Sequence, residues 1–352
     1  MKTELLSRAR AAGFSDARIT RAELPAHYGD RLREWVAAGM HGEMEYMERT
    51  AEMRAQGADA VLPGAQSVIV FAASYYPGNS RADTDLSDID SSTISDPTLR
   101  IAKYALGEDY HLVFRERLQP VVEWLNETVP GHTWRICVDS APLNERAYAI
   151  ESGIGFMGRN TMIIAPDAGS YLLLAEIVTT AQLPTDAPIS GTCGTCTRCI
   201  DACPTGAITE PLRVDATRCI SYLTIEKKTE LSAAEHDACG EWAFGCDICQ
   251  DVCPYNKSPE PVAIPELAEG VRVHRNEPAS TFLQLLSNRQ FERRLNRSPL
   301  LRAGKRRLQK RVAAIENFTT EAQRHRAGTE GKCLNEQTTD VELAKPVESP
   351  SL

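Results

Sequence analysis

Apolar positions in the first half of the chain follow two different spacings. Val68–Ala73 (VIVFAA) and Tyr171–Val178 (YLLLAEIV) are short, nearly unbroken apolar runs, the pattern of buried strands; the second is interrupted by Glu176. Trp134–Val138 is also strand-like. Tyr110–Thr128 instead places Val113, Leu118, Val121, Val122 and Leu125 on one side of a helix. Met1–Thr20 reads as a short amphipathic helix with Leu5, Leu6, Ala9 and Ala12 on its apolar side. Gly78–Pro97, rich in Asp and Ser, reads as a loop. Residues 1–184 are therefore expected to form one domain of the α/β (α+β) class. A linker, Leu183–Ile189 (LPTDAPI), leads into residues 185–260, where cysteines replace apolar periodicity and leave little room for a separate core. Metal is expected to hold that module together. Beyond Pro265 the chain turns helical and basic, through residues 261–318. From about Thr319 to Leu352 it is polar with few apolar anchors and is expected to be disordered.

Composition sharpens this outline. A chain of 352 residues with 42% hydrophobic content can bury a normal core, and its length suggests about two or three domains. The net charge of -9 does not favour general nucleic-acid binding. Yet Phe291 to Arg326 carries eleven Lys/Arg against three Asp/Glu, a local balance of +8 that leaves the remainder at -17. Such a segment reads as a phosphate-binding surface or as a solvated helix face. The N-terminal stretch has no apolar core of a secretory signal, and Arg8 and Arg10 are not a twin-arginine pair. No apolar run approaches the ~20 residues that span a bilayer. A soluble, cytoplasmic protein is expected. In a reducing compartment its eleven cysteines point to metal rather than to disulfides.

Cys193, Cys196, Cys199 and Cys203-Pro204 form C-x2-C-x2-C-x3-C-P. In this run three cysteines grip one cubane and the fourth reaches a second. Cys246, Cys249 and Cys253-Pro254 form a shorter run, C-x2-C-x3-C-P, one ligand short. Crossed ligation assigns Cys193, Cys196, Cys199 and Cys253 to the first 4Fe–4S cluster. The second takes Cys203, Cys246, Cys249 and either Cys219 or Cys239. Paired zinc sites are the alternative, but four cysteines within eleven residues, with Cys-Pro closing each run, fit cubanes better. Cys137, in a strand-like run, and Cys333 read as bystanders. The long stretch before the clusters argues that they feed a site rather than serve as a bare electron carrier.

Four polar stretches in the first domain are not explained by packing: Gly39–Met47 (GMHGEMEYM), Lys103–His111 (KYALGEDYH), Asp139–Arg146 (DSAPLNER) and Ser152–Thr161 (SGIGFMGRNT). Asp139 follows a strand, where it either faces a cleft or serves as a helix cap or turn residue. The glycines at 153, 155 and 158 do not sit between a strand and a long helix, which excludes a dinucleotide fingerprint.

With LPGAQSVIV, VDSAPLNERA, SGIGFMGRNTMI, CGTCTRCIDACPTGAI, RCISYLTIE and GCDICQDVCPYNK, these stretches resemble the epoxyqueuosine reductases over about residues 35–257. The resemblance implies a cobalamin-binding domain, a ferredoxin-like double-cubane module (an arrangement shared with reductive dehalogenases) and a basic helical C-terminal segment. It implies Asp139 as proton donor and Cys219 as the missing cluster ligand, leaving Cys239 free. It sets cobalamin against Tyr104, Asp139, Ile163, Leu174 and Ser221. Arg293–Arg311 matches the family's basic tail; the end from Phe318 onward departs from it. The implied reaction is reduction of epoxyqueuosine to queuosine at the tRNA wobble position, with a low-potential external electron donor and a monomeric enzyme. Bound corrin and substrate would desolvate Asp139 and raise its pKa. The axial-histidine motif D-x-H-x-x-G is incomplete at Asp109-Tyr110-His111, so no protein imidazole is expected under the cobalt. A soluble reductive dehalogenase and a plain ferredoxin-type carrier are the rival readings.

Overall fold

The computed structural model describes residues 1–78, 98–279, 282 and 287–316. Most of the Gly78–Pro97 stretch, Cys333 and the tail from Thr319 lie outside the described residues.

The first half runs α1 (Lys2–Ala11), β1 (Asp16–Arg21), α2 (Ala26–Ala37), α3 (Glu45–Arg49), α4 (Ala51–Gln56), β2 (Ser67–Ser74), β3 (Thr98–Ile101), α5 (Tyr110–Thr128), β4 (Trp134–Cys137), α6 (Glu145–Glu151), β5 (Phe156–Met157), β6 (Ile163–Ile164) and β7 (Leu172–Thr179). The main sheet has the order β1-β2-β7-β4 and is antiparallel at every pairing. The mixed helix and strand content is thus of the α+β kind. The central pair β2 and β7 is buried almost throughout, which is why both read as unbroken apolar runs. Alternate residues point to two layers. Ile69, Phe71, Ala175 and Ile177 meet Leu5 and Ala9 of α1 and the apolar side of α5. Val68, Val70, Leu174 and Val178 meet Tyr148, Ala149 and Ile163.

The expected helix over Met1–Thr20 is half right. Helix α1 stops at Gly13, whose φ of +91° is open to glycine, and where a Cβ would lie 2.5 Å from Ile264 Cγ1. The following residues become β1, with Ala17 and Ile19 inward.

The cysteine-rich stretch holds α7 (Arg198–Asp201), β8 (Ile208–Glu210), β9 (Arg213–Val214), α8 (Ile220–Ile225), α9 (Ala233–Cys239), β10 (Trp242–Phe244) and α10 (Ile248–Asp251). It does have apolar packing, shared with Ala102, Trp35, Met44 and Tyr104 of the first half. Ala216, Ile220, Tyr222, Leu223, Cys239 and Trp242 form a buried cluster, because α8 and β10 supply large apolar side chains between the two cysteine runs. After β11 (Asn276–Pro278) come α11 (Asn288–Arg294) and α12 (residues 305–316). A three-stranded sheet, β10-β3-β11, joins one strand of the first half to two of the second. Phe291, Leu300, Leu308 and Val312 pack on Leu99, Ile101 and Phe244, so the C-terminal segment is packed onto the body.

Candidate active site

Strand β4 delivers Asp139 to the site. Asp139 adopts φ +48°, a left-handed conformation that costs a non-glycine residue about 1 kcal/mol or more. Its N–H donates to Glu145 Oε1. Its Oδ2 lies 3.1 Å from His111 Nε2, and His111 Nδ1 lies 2.6 Å from Asp109 Oδ1. The cap of α6 is Asn144, so the helix-cap reading of Asp139 falls. Asp109 instead caps α5, accepting the His111 N–H. Arg302, from the C-terminal segment, places Nη1 4.0 Å from Asp139 Oδ2 and Nη2 2.7 Å from Glu226 Oε1.

These contacts set the charges. Burial favours a neutral imidazole, but the Asp109 and Asp139 carboxylates outweigh it and raise His111 to about 9. Burial would raise Asp139, yet the His111 hydrogen bond and charge, then Arg302 and Arg54, hold it below the ordinary carboxylate range. In the protein alone, Asp139 is thus a carboxylate beside an imidazolium, the reverse of the raised acid expected with corrin and substrate bound. Tyr104 is half-buried and meets Tyr110 edge-on at 6.4 Å; the Asp139 charge acts on its phenol. Ile163 and Leu174 share one apolar layer. Ser221 sits on α8, whose N-cap position is held by Cys219.

The thiols act on one another in a chain, with Cys249 reaching both Cys219 and Cys199. Cys199 and Cys253 act with Cys193 and Cys196. Cys219 acts with Cys203, while Cys246 and Cys249 act with Cys219. Burial pushes the Cys249 thiol up to about 12, so a metal cation is what would hold it as thiolate. Cys239 is fully buried among apolar side chains, and burial raises its thiol to about 11. Cys137 is equally buried, opposite Glu176. The polar SGIGFMGRNT stretch braces this region: Arg159 Nη2 donates to Gly194 O at 2.7 Å, and Asn160 Nδ2 to Cys249 O at 3.2 Å.

Comparison with known proteins bears on this arrangement. Residues 192–256 match the family described as 4Fe-4S double cluster binding domain, and residues 56–140 that described as Epoxyqueuosine reductase QueG, DUF1730. The epoxyqueuosine reductase of Pseudomonas aeruginosa is 39% identical over 296 residues, 84% of this chain and 79% of the relative. That of Cellulophaga algicola is 38% identical over 253 residues, 72% of this chain and 78% of the relative. This chain belongs to the epoxyqueuosine reductase family.

The folds agree with that membership. The crystal structure of epoxyqueuosine reductase with a tRNA-Tyr epoxyqueuosine-modified tRNA stem loop matches with a TM-score of 0.79 and 32% identity, over 89% of this chain and 80% of that one. The Bacillus subtilis epoxyqueuosine reductase, with its aspartate catalytic loop swung out of the active site, matches with a TM-score of 0.78 and 31% identity over the same shares. As a member of the family, the chain is an oxidoreductase that reduces epoxyqueuosine to queuosine, the last step of queuosine biosynthesis, and uses cobalamin and two 4Fe–4S clusters. Among the described residues no helix is long and apolar enough to cross a membrane.

Several residues of this epoxyqueuosine reductase make contacts that the sequence stretches holding them did not specify. Lys103 is 3% exposed, and its Nζ lies 2.5 Å from Asp251 Oδ1 and 3.8 Å from Asp247 Oδ2. Tyr171 also donates to Asp251, at 2.5 Å. This network ties the KYALGEDYH stretch to the second cysteine run. The basic segment, in turn, is partly structural. Arg311, 2% exposed, donates to the carbonyls of Trp242, His236 and Gly240. Arg307 donates to Ile225 O, and Arg297 pairs with Glu108 and Glu116. Lys305, Arg306 and Lys310 line an open surface groove with Asn288 and Gln309, where Arg306 and Lys310 both reach exposed Glu230.

Proposed function

We propose that this enzyme acts on epoxyqueuosine within tRNA, with Asp139 as proton donor, recharged by His111, and two cubanes held by crossed ligation. The observation that carries the reading is the Asp109–His111–Asp139 line, which keeps a proton 3.1 Å from the Asp139 carboxylate. The change is removal of the epoxide oxygen: two electrons and two protons enter and one water leaves. When bound, cobalamin supplies the reducing centre and the clusters supply its electrons one at a time. His111 holds the proton up to about pH 9, Asp139 Oδ2 passes it to the departing oxygen, and Asp109 keeps the imidazole aimed.

The donor set suits both cofactors. The ligand sets would be Cys193, Cys196, Cys199 and Cys253 for one cluster and Cys203, Cys219, Cys246 and Cys249 for the other; the full burial of Cys239, against the partial exposure of Cys219, supports Cys219 as the eighth ligand. Both His111 nitrogens are engaged, which supports a corrin held without this imidazole beneath cobalt. Tyr104, Asp139, Ile163, Leu174 and Ser221 remain the candidate contacts for it. The groove at Lys305, Arg306 and Lys310 offers cations to tRNA phosphates, and a related epoxyqueuosine reductase has been crystallised with a modified tRNA stem loop. Electrons would enter from an external low-potential donor.

The test is conversion. Protein loaded with iron, sulfide and cobalamin, given a strong reductant and an epoxyqueuosine-bearing stem loop, should yield a nucleoside lighter by one oxygen atom. An unchanged nucleoside under those conditions would reject the reading.

A further inference from the structure

Two carboxylic acids lie beneath the Asp139 turn and have no part in the proton path above. Glu176, on β7, is 0% exposed, and neither of its carboxylate oxygens has a hydrogen-bond partner among the described residues. It shares the sheet face of Leu174 and Val178, toward α6. Glu145, the first residue of α6, turns its carboxyl inward, where Oε1 accepts the Asp139 N–H. The two carboxyls are immediate neighbours and act on each other.

Two carboxylates offer no hydrogen to share and repel in a dry interior. A single proton changes this, because one carboxyl then donates to the other and the orphaned oxygens of Glu176 gain a partner. Burial and then the Asp139 charge raise Glu145 to about 7, and burial and then the Glu145 charge raise Glu176 well above the ordinary carboxylate value. Glu145 Oε1 already accepts the Asp139 N–H while the Glu176 oxygens have no other partner, so the shared proton is placed on Glu176 and Glu145 is left anionic. An anionic acceptor makes the stronger hydrogen bond to the Asp139 N–H, which fixes a left-handed turn that is otherwise costly. The charged and titratable groups around the pair are Asp139 on the turn, Arg54 on α4, Cys137 on β4, Tyr110 on α5 and Tyr148 on α6. Arg54 offsets the remaining charge and also holds the far end of the turn, donating to Leu143 O at 2.7 Å.

We propose that Glu145 and Glu176 share one buried proton and act as positioning residues, holding Asp139 in place through its main-chain N–H. The proposal rests on the reading of Asp139 as the proton donor, and its test separates the two.

Infrared difference spectra of the cluster-loaded protein at pH 8 should show a protonated carboxyl band that is lost in Glu176→Gln and kept in Asp139→Asn. In the cobalamin-loaded enzyme, Glu176→Leu removes the internal donor. It should lower kcat by on the order of 10²-fold, the scale of a 1 Å misplacement, with KM for the stem loop and iron content unchanged. Glu176→Gln, whose amide N–H stands in for the acid O–H, should recover most of that loss. Wild-type protein without the carboxyl band, or Glu176→Leu with undiminished kcat, overturns the proposal. If Glu176→Leu does not fold, the wild-type and Glu176→Gln spectra decide alone. A normal band together with normal turnover by Asp139→Asn overturns the donor reading instead.

Discussion

At the residue scale, charge balance around His111 gives the site a pH window. His111 titrates near 6.5 when free and about 9 here. A raised cation pKa stabilises the fold fully below the free value, and that contribution is lost as pH rises through the folded one. Asp109 and Asp139, held low, lose their share only in acid. The thermal stability gap between wild type and His111→Gln should therefore be widest near pH 6 and close by pH 10. A gap that widens with pH would mean His111 is neutral in the folded protein. Asp139 was conspicuous as an acid at a strand end, but its residue context left a cap or turn role open and only the family resemblance implied a donor. Its neighbours were not conspicuous: Arg302 is distant in sequence, and Lys103 looks like any surface lysine until its 3% exposure and its two aspartates are seen.

At the element scale, α5 was legible to the residue because its apolar spacing and its Asp109 cap agree. Helix α1 was overrun, since Ala17 and Ile19 continue an apolar pattern that only Gly13 and pairing to β2 resolve into a strand. The C-terminal basic segment was legible as charge but not as structure, because a charge count does not show which arginines are consumed by carbonyls and carboxylates. This sorts its variants. Arg311→Gln strands buried carbonyls and should cost at least about 2 kcal/mol of stability, read by denaturant unfolding. Arg306→Gln with Lys310→Gln should leave the melting temperature unchanged, weaken stem-loop binding and flatten its salt dependence. Equal destabilisation by both would show that the groove is structural too.

At the scale of the whole molecule, metal and packing divide the work. The cysteine spacing announced two cubanes, but it could not choose between Cys219 and Cys239, since spacing does not show that Cys239 is fully buried while Cys219 stays partly exposed. Anaerobically prepared protein should hold about eight irons and eight sulfides. Cys239→Ser should keep that content and Cys219→Ser should reduce it; the opposite result would reassign the ligand. The sheet that joins β3, β10 and β11 was invisible in the sequence, because its short strands pair across more than a hundred residues.

The most direct test of the account is single turnover by Asp139→Asn. The asparagine keeps the shape and hydrogen-bonding capacity of the site but cannot deliver a proton. With clusters and cobalamin bound as in wild type, and cobalt still reduced through the clusters, conversion of the epoxyqueuosine stem loop should slow by roughly 10²–10⁴-fold. Near-normal conversion in that fully loaded variant would contradict the account and move the proton source to water or to the substrate's own hydroxyls.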